Sequence, residues 1–284
     1  MHRLQTLLSS RLKSCAALIA FLAMTGVVHA QEAAETANRW GLREPASLNG
    51  YRFTDLFWFI TLLVGVSFLL VLILIAIPMI RDRARPGHKA SFDHGSSFHD
   101  KQLTTIISVI TFVVLDAWVL VIAMKDLREA YWAIPEIGQE GVYEVEVLAQ
   151  QWAWNFRAPG VDGEFGTADD ILSNSELVVP VGRPVSFQMT SKDVIHALAL
   201  PEMRMKKDVN PGDINTAWFQ AIRAGEFTIL CQELCGYAHY QMHGKLTVLD
   251  QDTFNEWEQE ASKLALAAFD SEDTESQWAW DWEQ

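Results

Sequence analysis

The sequence predicts a two-helix transmembrane hairpin followed by an all-β Greek-key sandwich, and three observations lead there. Two long apolar runs occupy the first half, short β-branched and aromatic runs punctuated by Pro and Gly fill the second, and the charge divides at the same place. Residues 1–125 hold 12 basic and 8 acidic side chains, net +4, whereas residues 126–284 hold 10 and 28, net −18. The whole chain of 284 residues carries −14, which argues against a partner held through nucleic-acid phosphates. The acidic half is rich in Trp, Val and Phe, which argues against a disordered acidic tail.

Taken in order, Arg3, Arg11 and Lys13 precede an apolar run, Ala16 to Val28, that closes on Val28-His29-Ala30. This is the pattern of a signal peptide over residues 1–30, with Gln31 as the mature N-terminus and Cys15 removed with the signal. Residues 31–52 follow as a periplasmic segment. From Leu56 to Ile80, 25 consecutive positions carry no Asp, Glu, Lys, Arg or His, and Leu103 to Met124 holds one charge, Asp116. Both runs are long enough to cross a bilayer, which excludes a purely cytosolic protein. The hairpin is expected over residues 53–125, with spans at about 55–80 and 103–125. The connection 81–102 carries Arg81, Arg83, Arg85, Lys89 and Lys101, so it is assigned to the cytoplasm. Both termini then lie on the periplasmic side of a bacterial inner membrane, with lipid around the spans. Asp116 suggests a polar partner in another subunit or a proton path, but its place near Met124 favours the outer water interface.

After a linker at residues 126–141, the period changes. Val142–Leu148, Gln151–Phe156, Glu176–Val181, Pro184–Thr190, Ala217–Ala221, Gly225–Cys231 and Lys245–Leu249 read as strands of a domain over residues 142–250. Pro180 to Pro184 and Asn210 to Asp213 supply the turn chemistry. Residues 251–284 read as a helix through Ala268 and an acidic, Trp-containing tail. The loop 162–170 holds Asp162, Glu164, Asp169 and Asp170; such oxygen-rich loops can hold calcium, but the spacing matches no EF-hand, and the loop reads as a solvated turn.

Cys231 and Cys235 are the two cysteines left after signal removal, and in an oxidising compartment a disulfide is their plain reading. Their surroundings point elsewhere. Cys231, Cys235, His239 and Met242 place two thiolates, an imidazole and a thioether within twelve residues after a β-run. Such soft ligands select copper, and a Cys/His/Met loop joined by a distant His is the donor set of a cupredoxin site, with zinc as the lesser metal alternative. His196, on an inter-strand position, is the best distant ligand; His243 competes but reads as an exposed residue. A mononuclear site would leave one Cys over, whereas two bridging thiolates can hold two coppers and suit electron transfer.

These residues closely resemble the cytochrome c oxidase subunit II family, over roughly Trp40 to Leu249. The resemblance is carried by the Cys231 to Met242 segment, Ser191-Lys192-Asp193-Val194-Ile195-His196, Lys206-Lys207-Asp208-Val209-Asn210-Pro211-Gly212 and Gln151-Trp152-Ala153-Trp154. It implies a cupredoxin-like domain with a binuclear copper A centre held by the side chains of His196, Cys231, Cys235, His239 and Met242 and the backbone carbonyl of Glu233. It further implies a magnesium ion shared with the catalytic subunit through the Glu233 carboxylate, and Trp152 as the point of electron input. Cytochrome c would dock at Asp193, with Glu202 or Asp208 joining the field, and Trp154 reads as a core aromatic. The implied activity is electron transfer from cytochrome c to haem in a catalytic haem-copper subunit I, with subunit III as a further partner, oxygen becoming water as protons are translocated. No oxygen chemistry is expected in this chain itself. A copper-less, quinol-oxidase-type subunit is disfavoured by the intact ligand set, and a nitrous oxide reductase domain by the membrane hairpin.

The chain also departs from the family. Ala197-Leu198 stand where Ser-Trp is usual, and Asp213 stands where a turn usually ends in Arg. The Glu at the cytoplasmic mouth of a proton channel has no counterpart, with His99 and Asp100 the nearby polar candidates.

Overall fold

The computed structural model describes residues 43–270 and 272, apart from residues 88, 90–94, 96, 136 and 137. The expected signal peptide and nearly all of the acidic tail lie outside these residues.

Two helices open the described chain, α1 (Leu48–Arg81) and α2 (Phe98–Trp132), both long and apolar enough to cross a membrane. Helix α1 starts at Ser47, whose hydroxyl oxygen accepts the Gly50 N–H at 3.0 Å and donates to the Met203 carbonyl at 2.6 Å. Helix α2 starts at Ser97, whose oxygen accepts the Asp100 N–H, and contains π-helical turns at Thr111–Asp116 and Leu127–Trp132. Both helices outrun the spans expected from hydropathy. The Ser47 cap sets the start of α1 ahead of residue 55, and α2 passes Lys125 to end at Trp132 inside the expected linker. Charge marks where an apolar run stops, not where a helix stops. Beyond the apolar zone the two ends stay paired, through Arg52–Glu129 at 2.8 Å and the Asn49 side-chain amide on the Ala130 carbonyl at 3.1 Å.

The C-terminal half is a sandwich of ten strands: β1 (Tyr143–Gln150), β2 (Ala153–Ala158), β3 (Ile171–Asn174), β4 (Glu176–Pro180), β5 (Pro184–Ser191), β6 (His196–Leu200), β7 (Met205–Val209), β8 (Asn215–Gln220), β9 (Gly225–Cys231) and β10 (His243–Leu249). One sheet runs β3-β2-β1-β5-β8 and the other β4-β10-β9-β6-β7, so the chain crosses repeatedly between sheets. A single core joins their inner faces, with Trp154, Phe156, Phe187, Phe219, Leu198, Ile229 and Leu246 all under 2 % exposed. Each of the seven expected runs overlaps a strand. The expected Gln151–Phe156 strand begins instead at Ala153, because Gln151 and Trp152 form the two-residue turn that joins β1 to β2, with Gln150 opposite Ala153, and the Gln151 N–H donates to the Asp193 carboxylate at 2.7 Å. Strands β3, β6 and β7 were not expected. Helix α3 (Gln251–Ala268) packs beside β3 and β4, and its Phe254 reaches the core, where it meets Tyr143 at the start of β1 edge to face at 5.1 Å.

The sandwich is tied to the start of α1 by backbone. The Ala46 N–H donates to the Glu202 carbonyl at 2.7 Å, and the Ile222 N–H donates to the Ala46 carbonyl at 3.0 Å.

Candidate metal centre

Two adjacent strands and one hairpin loop build the site. Strand β6 pairs antiparallel with β9, with Leu198 opposite Cys231, and the Gln232 N–H extends this ladder to the Ala197 carbonyl at 3.0 Å. His196, two residues before Leu198, therefore shares its face of the sheet and comes alongside Cys231. Strand β9 turns into β10 through residues 232–242, and the neck of this hairpin is the Cys231 N–H on the Met242 carbonyl at 3.1 Å. Cys231 and Met242 thus face each other across the neck, while Cys235 and His239 come from within the loop.

The five side chains converge. Cys231 Sγ lies 3.7 Å from Cys235 Sγ and 3.9 Å from His196 Nδ1, and Cys235 Sγ lies 3.4 Å from His239 Nδ1 and 3.7 Å from Met242 Sδ. The Glu233 carbonyl oxygen is 3.3 Å from Cys231 Sγ. The sulfurs are free thiols, and neither they nor His196 and Met242 exceed 8 % exposure. Trp154 walls the pocket edge-on to the His196 ring at 6.1 Å. Soft sulfur and imidazole donors crowded into a buried pocket fit a copper ion far better than a hard cation.

The supports are as specific as the donors. Asp193 Oδ1 stands 2.9 Å from His196 Nε2 and accepts the Val194 N–H at 2.6 Å, while Oδ2 accepts the Gln151 N–H. A carboxylate on Nε2 keeps the proton there and turns the Nδ1 lone pair to the sulfurs. Burial opposes the charge on Asp193, but its bonds to His196 and to two backbone N–H groups outweigh it and hold the carboxyl below its usual range. Burial likewise opposes the imidazolium of His196, and Cys231 and Asp193 together raise it. At Cys231, burial resists the thiolate, yet hydrogen bonds with His196 and the surrounding backbone bring the thiol down to about 6. At Cys235, burial and the neighbouring Cys231 push the thiol up to about 12. The two neighbouring thiols thus resist being ionised together.

Trp152 meets the site from outside. It is 39 % exposed, and its indole N–H donates to the Cys235 carbonyl at 3.3 Å, beside the Gln151 side-chain amide on the same oxygen at 2.7 Å. Gly236 makes room for this: at φ +123° its missing Cβ would sit 2.7 Å from Gln151 Nε2 and 3.2 Å from the Trp152 ring. No residue pattern singled out Gln151 beyond its place beside Trp152.

Other expected residues fall elsewhere. Glu233 has an exposed side chain at the rim, and His243 is exposed at the start of β10. Asp208 is exposed and 3.5 Å from Lys206. Asp193 keeps a 30 % exposed side chain, but its oxygens are turned to His196 and the backbone. Glu202 is a correction: it is 7 % exposed beneath the first turn of α1, so it presents no charge to a docking protein. In the 162–170 loop the Asp162 and Asp170 carboxylates accept backbone N–H groups of their own turn, and Thr167 donates to Asp169.

Part of this chain is similar to known proteins. Residues 143–248 match the family described as cytochrome c oxidase subunit II, periplasmic domain. Residues 143–248 are thus similar to that family's periplasmic domain. The alternative cytochrome c oxidase subunit 2 of Bradyrhizobium diazoefficiens is 37 % identical over 144 residues, covering 43 % of this chain and 52 % of the relative. The cytochrome c oxidase subunit 2 of Thermostichus vulcanus is 31 % identical over 153 residues, covering 54 % and 44 %. The chain thus spans about half the length of the curated relatives it matches. A crystal structure of the periplasmic domain of subunit II of cytochrome oxidase from Bradyrhizobium japonicum is 29 % identical, covering 46 % of this chain and 98 % of that one, with a TM-score of 0.40. Within the matched residues 143–248, the segment from β6 to β10 carries every donor described above.

Proposed function

We propose that this chain is the electron-input subunit of a membrane-bound haem-copper terminal oxidase. It takes electrons from cytochrome c on the periplasmic side of a bacterial inner membrane and delivers them to haem in a catalytic partner subunit, where oxygen is reduced to water with proton translocation. The observation that carries this reading is the convergence of His196, Cys231, Cys235, His239 and Met242 in one buried pocket, inside a domain similar to that of the subunit II family.

His196 Nδ1, the two Sγ atoms, His239 Nδ1, Met242 Sδ and the Glu233 carbonyl would hold two copper ions, and the exposed Glu233 carboxylate would serve a magnesium ion shared with the catalytic subunit. Two copper ions held by these residues would supply a one-electron centre. The chain's own residues prepare that site. Burial excludes water and competing ligands, and Asp193 fixes the His196 tautomer before metal arrives. Both thiols would have to be deprotonated to bind copper. Trp152 spans the distance between solvent and the Cys235 peptide with one aromatic ring, giving a docked cytochrome a short path to the pocket. The net −18 of residues 126–284 supports a basic donor steered by opposite charge.

Two spans with both termini outside, and partners of the subunit I and subunit III kind, complete the reading. The test is to purify the complex from native membranes through a tag on this chain and measure copper, haem and oxidation of reduced cytochrome c. Two coppers per chain with salt-sensitive cytochrome c oxidation are expected. A copper-free complex that oxidises quinol instead would overturn the reading.

A further inference from the structure

Asp116 is the one Asp, Glu, Lys, Arg or His between Lys101 and Lys125. The sequence favoured an interfacial place for it, and the helix argues otherwise. Helix α2 runs unbroken past Lys125 to Trp132, and Lys125 lies nine residues, or about 13 Å, beyond Asp116 along the axis. Lys101 lies about 22 Å away in the other direction. A carboxylate on a single methylene cannot span either distance to reach water, unlike a snorkelling Lys or Arg.

Its face on the helix is also informative. Leu115, Val119 and Ile122 are half-buried on the side where α2 meets α1. Asp116 is exposed, together with Val109, Phe112, Val113 and Leu120, which are 54 to 64 % exposed. Among the described residues Asp116 has no hydrogen-bond or ion-pair partner. The π-helical turn Thr111–Asp116 ends on it, a local widening of the helix of the kind found at functional positions.

We propose that Asp116 is the contact point for a neighbouring transmembrane helix that presents a cation or a hydrogen-bond donor to it within the membrane. A lone carboxylate facing hydrocarbon costs several kcal/mol, so a site that keeps one is completed by another chain. A proton relay is the weaker alternative, since the surrounding stripe of Val109, Phe112, Val113 and Leu120 offers no second titratable group. The inference rests on the reading of this chain as a subunit of a membrane complex.

The test compares Asp116→Leu and Asp116→Asn with the parent, each tagged and pulled from native membranes in mild detergent. Haem and membrane chains recovered per tagged chain should fall at least fivefold for Asp116→Leu and less for Asp116→Asn. Copper content and its paramagnetic spectrum should stay unchanged, showing the exported domain intact. If Asp116→Leu fails to accumulate in the membrane, the near-isosteric Asp116→Asn carries the test alone, with at least a twofold loss expected. Recovery equal to the parent overturns the proposal, and equal recovery with impaired proton uptake assigns Asp116 to a proton path instead. A parent chain that recovers no haem-bearing partner removes the subunit reading and this proposal with it.

Discussion

Asp193→Ala removes more than a surface charge. The carboxylate orients the fully buried His196 ring through Nε2 and also accepts the N–H groups of Gln151 and Val194. Hydrogen bonds to a charged group contribute about 1.5–3 kcal/mol each, and water reaching the 30 % exposed side chain screens part of this, so we expect a loss of about 2 kcal/mol in the metal-free protein. Copper affinity should fall about 10–100-fold, because the imidazole loses the partner that holds its tautomer. Asp193→Asn should fall between the two, since one amide oxygen cannot serve His196 and Gln151 together, and its NH2 group would face a donor. Urea unfolding of the metal-free chain and competition with a copper chelator measure the two effects separately. Stability within 0.3 kcal/mol and affinity within twofold of the parent would refute the account of Asp193 as the brace of His196.

Trp152→Ala should slow reduction by cytochrome c at least tenfold in stopped-flow measurements while leaving copper content and spectrum unchanged; an equal rate would place electron input elsewhere. Glu258 offers a pH-dependent case: burial raises its pKa and Arg183 opposes this in part. A carboxyl with a raised folded pKa destabilises the fold as pH climbs above its unfolded value, so Glu258→Gln should gain stability relative to the parent at pH 7 but not at pH 4. Unfolding curves at the two pH values check the sign, and an equal effect at both would contradict it.

Most of the donor set was legible because the chemistry sits in one loop. Cys231, Cys235, His239 and Met242 fall within twelve residues after a strand, and only His196 had to be found at a distance. The supports were not legible, since they depend on which strands become neighbours. Asp193 read as a docking charge because sequence cannot show that its oxygens face His196 and the Gln151 backbone. Glu202 misled for the same reason: an acidic residue in a loop looks solvated until the start of α1 is laid over it. Strand β6, His-Ala-Leu-Ala-Leu, is buried at all five positions and shows no alternation, while Met-Lys-Lys-Asp-Val in β7 looks too polar for a strand until its pairing with β6 is seen. The helix ends were not legible, because Lys125 to Glu129 mark the limit of the apolar zone while the helix continues as far as Trp132.

The most direct test is electron paramagnetic resonance on the complex holding the full chain, beside a Cys235→Ser variant. We expect a hyperfine pattern from one electron shared by two equivalent copper nuclei, collapsing to a single-copper signal or none in the variant. A mononuclear signal in the parent that survives the substitution, or Cys231 and Cys235 recovered as a disulfide from copper-free membranes, would contradict the binuclear centre.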